Sequence, residues 1–503
     1  MSRYSIVLLV LMLAVSSSYG QAYAPEKGNP LMKVKPVPRL AAYTFNLKDV
    51  KLTGGPFLQA MEADKKYLLS IEPARLLHRF HKNAKLPMQG NVYGGWEHAG
   101  LSGHTLGHYL SAISMMYVGT GDEELKRRAD YIVHELKLCQ DARKTGYVGG
   151  MEDEDSIYGL VAKGQINSSG FDLNGGWSPW YTVHKIMAGL VDTYMLTGNK
   201  EALSVLEGMG SWIDHTISGL NDELREKMLT CEYGGMNDVL AILYGLTGNK
   251  KFLDLSLKFH DHFVLGKLEQ RIDPMPGKHS NTNVPKVIGT ATRYELTGRE
   301  SDKTISTFFW DRMVHHHSYV IGGNSNYEYC GDPDKLNDRL SDNTCETCNT
   351  YNMLKLTRHL FLWQPDSKLG DYYERALYNH ILASQNPADG MMCYFVPLRM
   401  GTKKVFSDPF NTFTCCVGSG MENHSKYTES IYFEGADGSL YVNLFIPSEL
   451  NWRSRNIKIT QQTSFPESGI VNLLVEGKKP GSFSLKIRKP SWPASLRALS
   501  VSV

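Results

Sequence analysis

No surplus of charge of either sign marks this chain. Its 54 Lys and Arg face 52 Asp and Glu, a formal net charge of +2, which removes the basic footprint of a nucleic-acid or anionic-membrane binder. Long apolar runs are missing as well. The run near the start, Ile6 to Val15, is too short to span a bilayer. Preceded by Arg3 and followed by Ser16, Ser17, Ser18, Tyr19 and Gly20, it reads as a secretory signal over residues 1–20, cut near Gln21. No cysteine stands beside that cut, which argues against lipid attachment there. The expectation is a periplasmic or secreted protein, with no membrane insertion once the signal is removed.

Cysteine is sparse, eight residues in 503, but its placement is informative. An oxidising compartment pairs cysteines as disulfides, and Cys139, Cys231, Cys330 and Cys393 are available for that. The other four fall in two short stretches, Cys345-Glu346-Thr347-Cys348 and Cys415-Cys416. Vicinal cysteines scarcely bridge each other without strain, and a metal would protect them from oxidation. Two clusters of soft ligands, each too small to saturate a metal alone, suit a tetrahedral zinc site assembled from distant segments. One candidate set is Glu346, Cys348, Cys415 and Cys416. Its rival is four thiolates including Cys345, and spacing slightly favours this commoner structural type. Such a site is either structural or the holder of an activated sulfur nucleophile.

A helical sentence repeats along the chain. Tyr117 to Gly121, Tyr194 to Gly198, Tyr244 to Gly248 and Tyr294 to Gly298 each close a segment with apolar residues at i, i+3, i+4 and i+7. The glycine suits a left-handed helix cap. A second helix follows, as in Lys200 to Ile213 or Lys250 to Phe263. A period of about 50 residues with two helices per unit means stacked helical hairpins. The connecting loops are long and rich in Gly, Trp, His and Asn, as in 93–98, 174–180 and 231–237. Such loops at one end of a closed helical barrel make a funnel for a ligand. Residues 45–425 therefore read as an (α/α)6 toroid, preceded by a linker or strand at 21–44. Aromatics, 11% of residues, are core packing or sugar-stacking surface, and composition does not separate the two.

After residue 425 the pattern changes to period-two alternation with Gly, Pro, Asp and Ser turns. Strands are expected at 430–434, 440–446, 457–461, 470–475 and 483–488. Residues 426–503 read as a β-sandwich, incomplete because strand-like text runs to Val503.

Several motifs together carry a resemblance. They are Glu346-Thr-Cys348 with Asn349 to Leu356, Tyr373 to Asn379, Tyr394 to Leu398, and Thr414-Cys-Cys416. In combination the chain resembles the former DUF1680 proteins, glycoside hydrolase families 127 and 146, the β-L-arabinofuranosidases. Gly94 to His98, Gly234 to Asn237 and Glu422 to Lys426 are similar to family 146. The resemblance implies zinc held by Glu346, Cys348, Cys415 and Cys416, with Cys415 as nucleophile and Cys345 outside the set. It implies Glu328 as acid/base, and His184 and Tyr394 as substrate contacts, with local capping or packing for His184 and a strand-core place for Tyr394 as their alternatives. Glu374 is implied as a hydroxyl binder, with a helix salt bridge as its alternative. A family histidine expected near Gly235 is absent, leaving Asn237 and His279 as substitutes. The implied activity is retaining exo-hydrolysis of β-L-arabinofuranosides in plant glycans.

Histidines elsewhere have plainer readings. His104 and His108, four apart on one helical face, line a pocket or pack as a pair, with metal binding the lesser alternative. His315 to His317 reads as a solvated run. Two rival functions stay open at this point: another glycan-active barrel enzyme such as a lyase or epimerase, which needs no thiol, and a carbohydrate-binding protein with a structural zinc.

Overall fold

A computed structural model describes residues 23–477 and 481–497. The expected signal at 1–20 lies outside the described residues. No described helix is long and apolar enough to cross a membrane.

Twelve helices make the frame. In chain order they are α1 (Gly55–Ser70), α2 (His104–Thr120), α3 (Glu123–Arg143), α4 (Pro179–Thr197), α5 (Lys200–Ile217) and α6 (Met236–Thr247), then α7 (Lys250–Lys258), α8 (Val284–Thr297), α9 (Glu300–Arg312), α10 (Thr347–Trp363), α11 (Ser367–Ala376) and α12 (Cys415–Ser425). The even-numbered helices are buried on nearly every side, as an inner ring requires. Each packs on the next, and α12 returns to α2, closing the ring. Outer helices back them: α3 on α2, α5 on α4, α7 on α6, α9 on α8, α11 on α10, and α1 on α12. This is the (α/α)6 toroid.

The repeated sentence explains four of the hairpins. Gly121, Gly198, Gly248 and Gly298 take φ of 74°, 75°, 71° and 71° and donate their N–H to the carbonyls of Tyr117, Tyr194, Tyr244 and Tyr294. The left-handed cap turns the chain, and Asp122, Asn199 and Asn249 then cap the outer helix, so each inner helix ends where its partner begins.

Between rings, charges are buried in pairs. Arg293 of α8 holds Asp302 of α9 through Nη2 at 2.6 Å and Nε at 3.2 Å, with both side chains 1% exposed. Its Nη1 donates to the Ser256 carbonyl at 3.1 Å. Removing one partner leaves an uncompensated buried charge, so Arg293→Ala is expected to cost about 3–5 kcal/mol in denaturant unfolding. A loss below about 1 kcal/mol would mean that Arg299, 4.0 Å from the same carboxylate, takes over.

The described residues before and after the barrel meet in β-structure. One four-stranded sheet runs Ala42–Thr44, Tyr432–Gly435, Leu440–Val442, Leu485–Ile487; the other runs Val471–Gly477, Ile457–Thr463, Ser448–Trp452, Val50–Leu52. The expected strands appear, mostly shorter. Ala42–Thr44 falls at the end of the expected linker or strand at 21–44, whereas Ser448–Trp452 and Val50–Leu52 went unread, because three- to five-residue strands with few period-two repeats are defined by their partners rather than by pattern. Beside the barrel mouth a small sheet of two-residue strands spans Ser168–Ser169, Asp172–Leu173 and Gly176–Trp177.

Two expectations are corrected here. All eight cysteines are unpaired and buried, so Cys139, Cys231, Cys330 and Cys393 act as small core hydrophobes. The histidine run is not solvated throughout: His317 is buried with Nε2 3.0 Å from Asp273, and His316 pairs with Asp334.

Candidate active site

All six inner helices point their N-termini at one end of the barrel, and the chemistry collects there. Cys415 and Cys416 are the first two residues of α12, Cys348 is the second of α10, and Glu346 is the N-cap of α10. Free N–H groups and aligned peptide dipoles at these ends favour negative charge. The donor atoms of Glu346, Cys348, Cys415 and Cys416 all lie within 4.8 Å of one another. Cys415 Sγ is 3.9 Å from both Glu346 Oε1 and Cys416 Sγ, and Cys416 Sγ is 3.9 Å from the same oxygen.

These spacings test whether a metal fits. A tetrahedron with bonds of about 2.3 Å has edges of about 3.8 Å, close to those seen. Glu346 Oε2 is buried without a hydrogen-bond partner, a cost that a cation would relieve. A buried Glu and Cys cluster suited to a metal ion is therefore present, and Cys345 is not part of it. Cys345 instead faces Gly323 and His380, and burial pushes its thiol pKa far up.

Proton affinities differ within the cluster. Hydrogen bonds with Cys348 and Cys416 hold Cys415 well below the usual thiol range against the opposing effect of burial. Burial pushes Cys348 and Cys416 up. Burial, then the Cys415 charge, raises Glu346.

Facing Cys415 is a cavity of about 190 Å³ walled by Trp96, Trp177, Tyr181, Glu232, His279 and Glu328. Glu328 sits on a strained turn: Tyr327 and Glu328, neither a glycine, take φ of 49° and 70°, a conformation that persists where surroundings over-determine it. The Glu328 carbonyl accepts from Ser280 N–H at 2.7 Å and Asn343 O accepts from Tyr327 N–H at 2.9 Å. The segment carrying Tyr394 is pinned beside α10, since Tyr394 O accepts from Thr347 N–H at 3.0 Å. The Tyr394 hydroxyl donates to Glu328 Oε1, and its oxygen lies 3.4 Å from Cys415 Sγ. His279 Nε2 is 3.5 Å from Glu328 Oε2. Burial lowers the His279 pKa, but the bond to Glu328 and the charges of Glu232 and Glu328 outweigh it and raise it overall.

The remaining expected residues separate. His104 is fully buried, with Nε2 3.0 Å from the Phe413 carbonyl, and burial lowers its pKa to about 3. It packs edge-on to His108 at 6.0 Å, a packed pair without a metal cluster. His184 lies beneath the 231–237 loop: a Cβ on Gly234 or Gly235 would meet its ring at 2.7 or 2.8 Å. Those glycines let the loop rest on the imidazole. Asn237 turns into helix packing, donating to the Lys286 carbonyl at 2.7 Å. Glu374 is a correction: it binds Arg488 and accepts from Trp492 Nε1 at 2.9 Å, so it ties the C-terminal region to α11 and is not among the cavity's lining.

Three further residues escaped the sequence reading. Glu232 lines the cavity, and burial pushes its carboxyl up to about 7 despite the nearby His279 charge. Tyr181 places its hydroxyl 3.4 Å from both His104 Nδ1 and His108 Nε2. Glu422 binds His108 Nδ1 at 2.5 Å and accepts from Tyr351. The only sequence signal for Glu232 was its place in a funnel loop.

An α/α barrel holds here a cavity walled by carboxylates, thiols and aromatic rings, and family comparison makes the protein a glycoside hydrolase. The chain belongs to the β-L-arabinofuranosidase family GH127: the model of its catalytic domain matches residues 49–429 and that of its middle domain residues 439–503. That sets aside a lyase, an epimerase or a mere binding protein. Among solved structures, a GH127 β-L-arabinofuranosidase from Geobacillus stearothermophilus T6 is similar at TM-score 0.68 and 20% identity, covering 88% of this chain and 75% of that one. A GH127 β-arabinofuranosidase matches at TM-score 0.69 and 20% identity over 92% of this chain and 72% of its own. These two likenesses bear on the fold. Comparison with curated proteins finds no match.

Proposed function

We propose that the protein is a retaining exo-β-L-arabinofuranosidase acting on arabinose-containing plant glycans, with Cys415 as nucleophile and Glu328 as acid/base. The observation that carries this is the Tyr394 hydroxyl, which touches Cys415 Sγ at 3.4 Å and Glu328 Oε1 at once. One hydroxyl spanning both keeps sulfur and carboxylate within about 6 Å, nearer the ~5–5.5 Å of retaining glycosidases than the ~6.5–9.5 Å of inverting ones. Sulfur here replaces the usual second carboxylate.

The steps follow from the chain's own residues. Glu328 protonates the glycosidic oxygen as the Cys415 thiolate attacks the anomeric carbon, so the C–O bond breaks and a C–S bond forms. Glu328, now a carboxylate, takes a proton from water, which attacks the same carbon; the C–S bond breaks and the thiolate returns. Glu346, Cys348, Cys415 and Cys416 would hold zinc, which when bound keeps the sulfur deprotonated and moderates its basicity. Trp96 and Trp177, with centroids 4.9 Å apart, offer faces for a sugar ring. Tyr394 and His279 keep Glu328 aimed at the cavity. The short apolar run at 6–15, read as a secretory signal, supports a periplasmic or secreted enzyme.

The test is hydrolysis of p-nitrophenyl β-L-arabinofuranoside by the wild type, with the released anomer followed by NMR and zinc assayed on the same sample. Retention of configuration with one zinc per chain is the expected result. Inversion, or turnover by a zinc-free sample at the full rate, would sink the thiolate mechanism.

A further inference from the structure

Beside the catalytic cavity runs a second, more open groove of about 690 Å³. Tyr394 lines both. The walls are joined at two more points: the Thr412 carbonyl accepts from Trp96 N–H at 3.2 Å, and Asn343 O accepts from Tyr327 N–H. Trp96 belongs to the cavity wall and Tyr327 precedes Glu328, so the groove begins where the leaving group would exit.

We propose that this groove binds the part of the glycan on the leaving-group side of the scissile bond, as a run of sugar residues. The inference rests on the glycosidase reading above. Size divides the work. The cavity at about 190 Å³ is below the ~300–1,000 Å³ of ordinary ligand sites and the groove lies within that range, so one ring is held for reaction and several are held beside it. The lining fits a polyhydroxylated chain. Phe395 and Phe406 line it with aromatic rings, while Asn343 and Lys403 add hydrogen-bonding groups; the Thr402 and Ser407 hydroxyls are held by Arg399 O and by the Met391–Met392 segment. A sugar ring has this same alternation of C–H faces and hydroxyl edges. Arg399 is engaged by Asp342 at 3.1 Å, whereas Lys403 is exposed and has no ion pair among the described residues, leaving its ammonium for a hydroxyl or ring oxygen of the chain.

The groove predicts a substrate-length effect. Phe406→Ala and Lys403→Ala are expected to lower kcat/KM for an arabinotetraose ending in β-L-arabinofuranose by about tenfold each. Turnover of p-nitrophenyl β-L-arabinofuranoside, whose leaving group is too short to reach them, stays at the wild-type level and certifies the fold. Equal kcat/KM for the tetraose in wild type and both variants would overturn the groove. A wild type inactive on both arabinosides would strike the arabinofuranosidase reading instead. In that case binding of arabinotriose by calorimetry decides the groove: weakening in Phe406→Ala upholds it, and unchanged or absent binding overturns it.

Discussion

Cys415→Ser is expected to lower turnover of any β-L-arabinofuranoside by about 10⁴-fold or more. A serine hydroxyl stays protonated where the Cys415 thiol is the one group of its cluster held well below its ordinary range. Its oxygen would also be a poorer leaving group when water releases the sugar. The substitution removes a metal donor as well, so activity alone does not separate the two roles. Mass spectrometry does: a wild-type sample quenched during turnover of a slow substrate carries the sugar on the peptide containing Cys415. A sugar found on Cys416 or on Glu328, or wild-type activity in Cys415→Ser, would dismiss the assignment.

Glu328→Gln separates what Cys415→Ser joins, because it leaves all four metal donors in place. An amide can neither donate the proton to the departing oxygen nor accept one from water, and positioned acid/base catalysis is worth about 10²–10⁴. The loss should depend on the leaving group. Oligosaccharides, whose alcohols leave poorly, fall by the full factor. A dinitrophenyl arabinofuranoside needs little proton help to leave, so its first step persists and covalent adduct accumulates. Azide, which attacks without general-base help, then restores turnover as arabinosyl azide. Zinc content stays at the wild-type value throughout. Equal losses on both substrates, with no azide rescue, would move the acid/base role to Glu232, the other cavity carboxyl.

How much of this was legible varied with the range of the determining interaction. The four Tyr-to-Gly closings read correctly because a left-handed cap acts within a few residues, followed in three of them by a capping Asp or Asn. Glu374 read poorly: its motif sits in α11, but its partners Arg488 and Trp492 arrive from the far end of the chain. Tyr181 carried no local signature, and Glu232 only its place in a funnel loop. Each is an ordinary residue in a loop or helix start, and only the packing of α4 beside α2 and the loop before α6 gives them a common cavity.

By itself the amino-acid sequence determined the repeating hairpins, the β-pattern after residue 425 and the two thiol clusters, since periodicity, capping and ligand type are short-range properties. Ligand spacing left two donor sets open; the family resemblance pointed to one of them, and the tertiary structure brings that one together. Closing the ring, with α12 against α2, brings Cys415 of the last inner helix to Glu346, Tyr394 and the Glu328 turn. It also excluded Cys345, whose backbone at φ 58° belongs to a turn facing Gly323 and His380. Ligand spacing in sequence says which side chains have the right chemistry; the direction in which each leaves its helix or turn says which of them share a point in space.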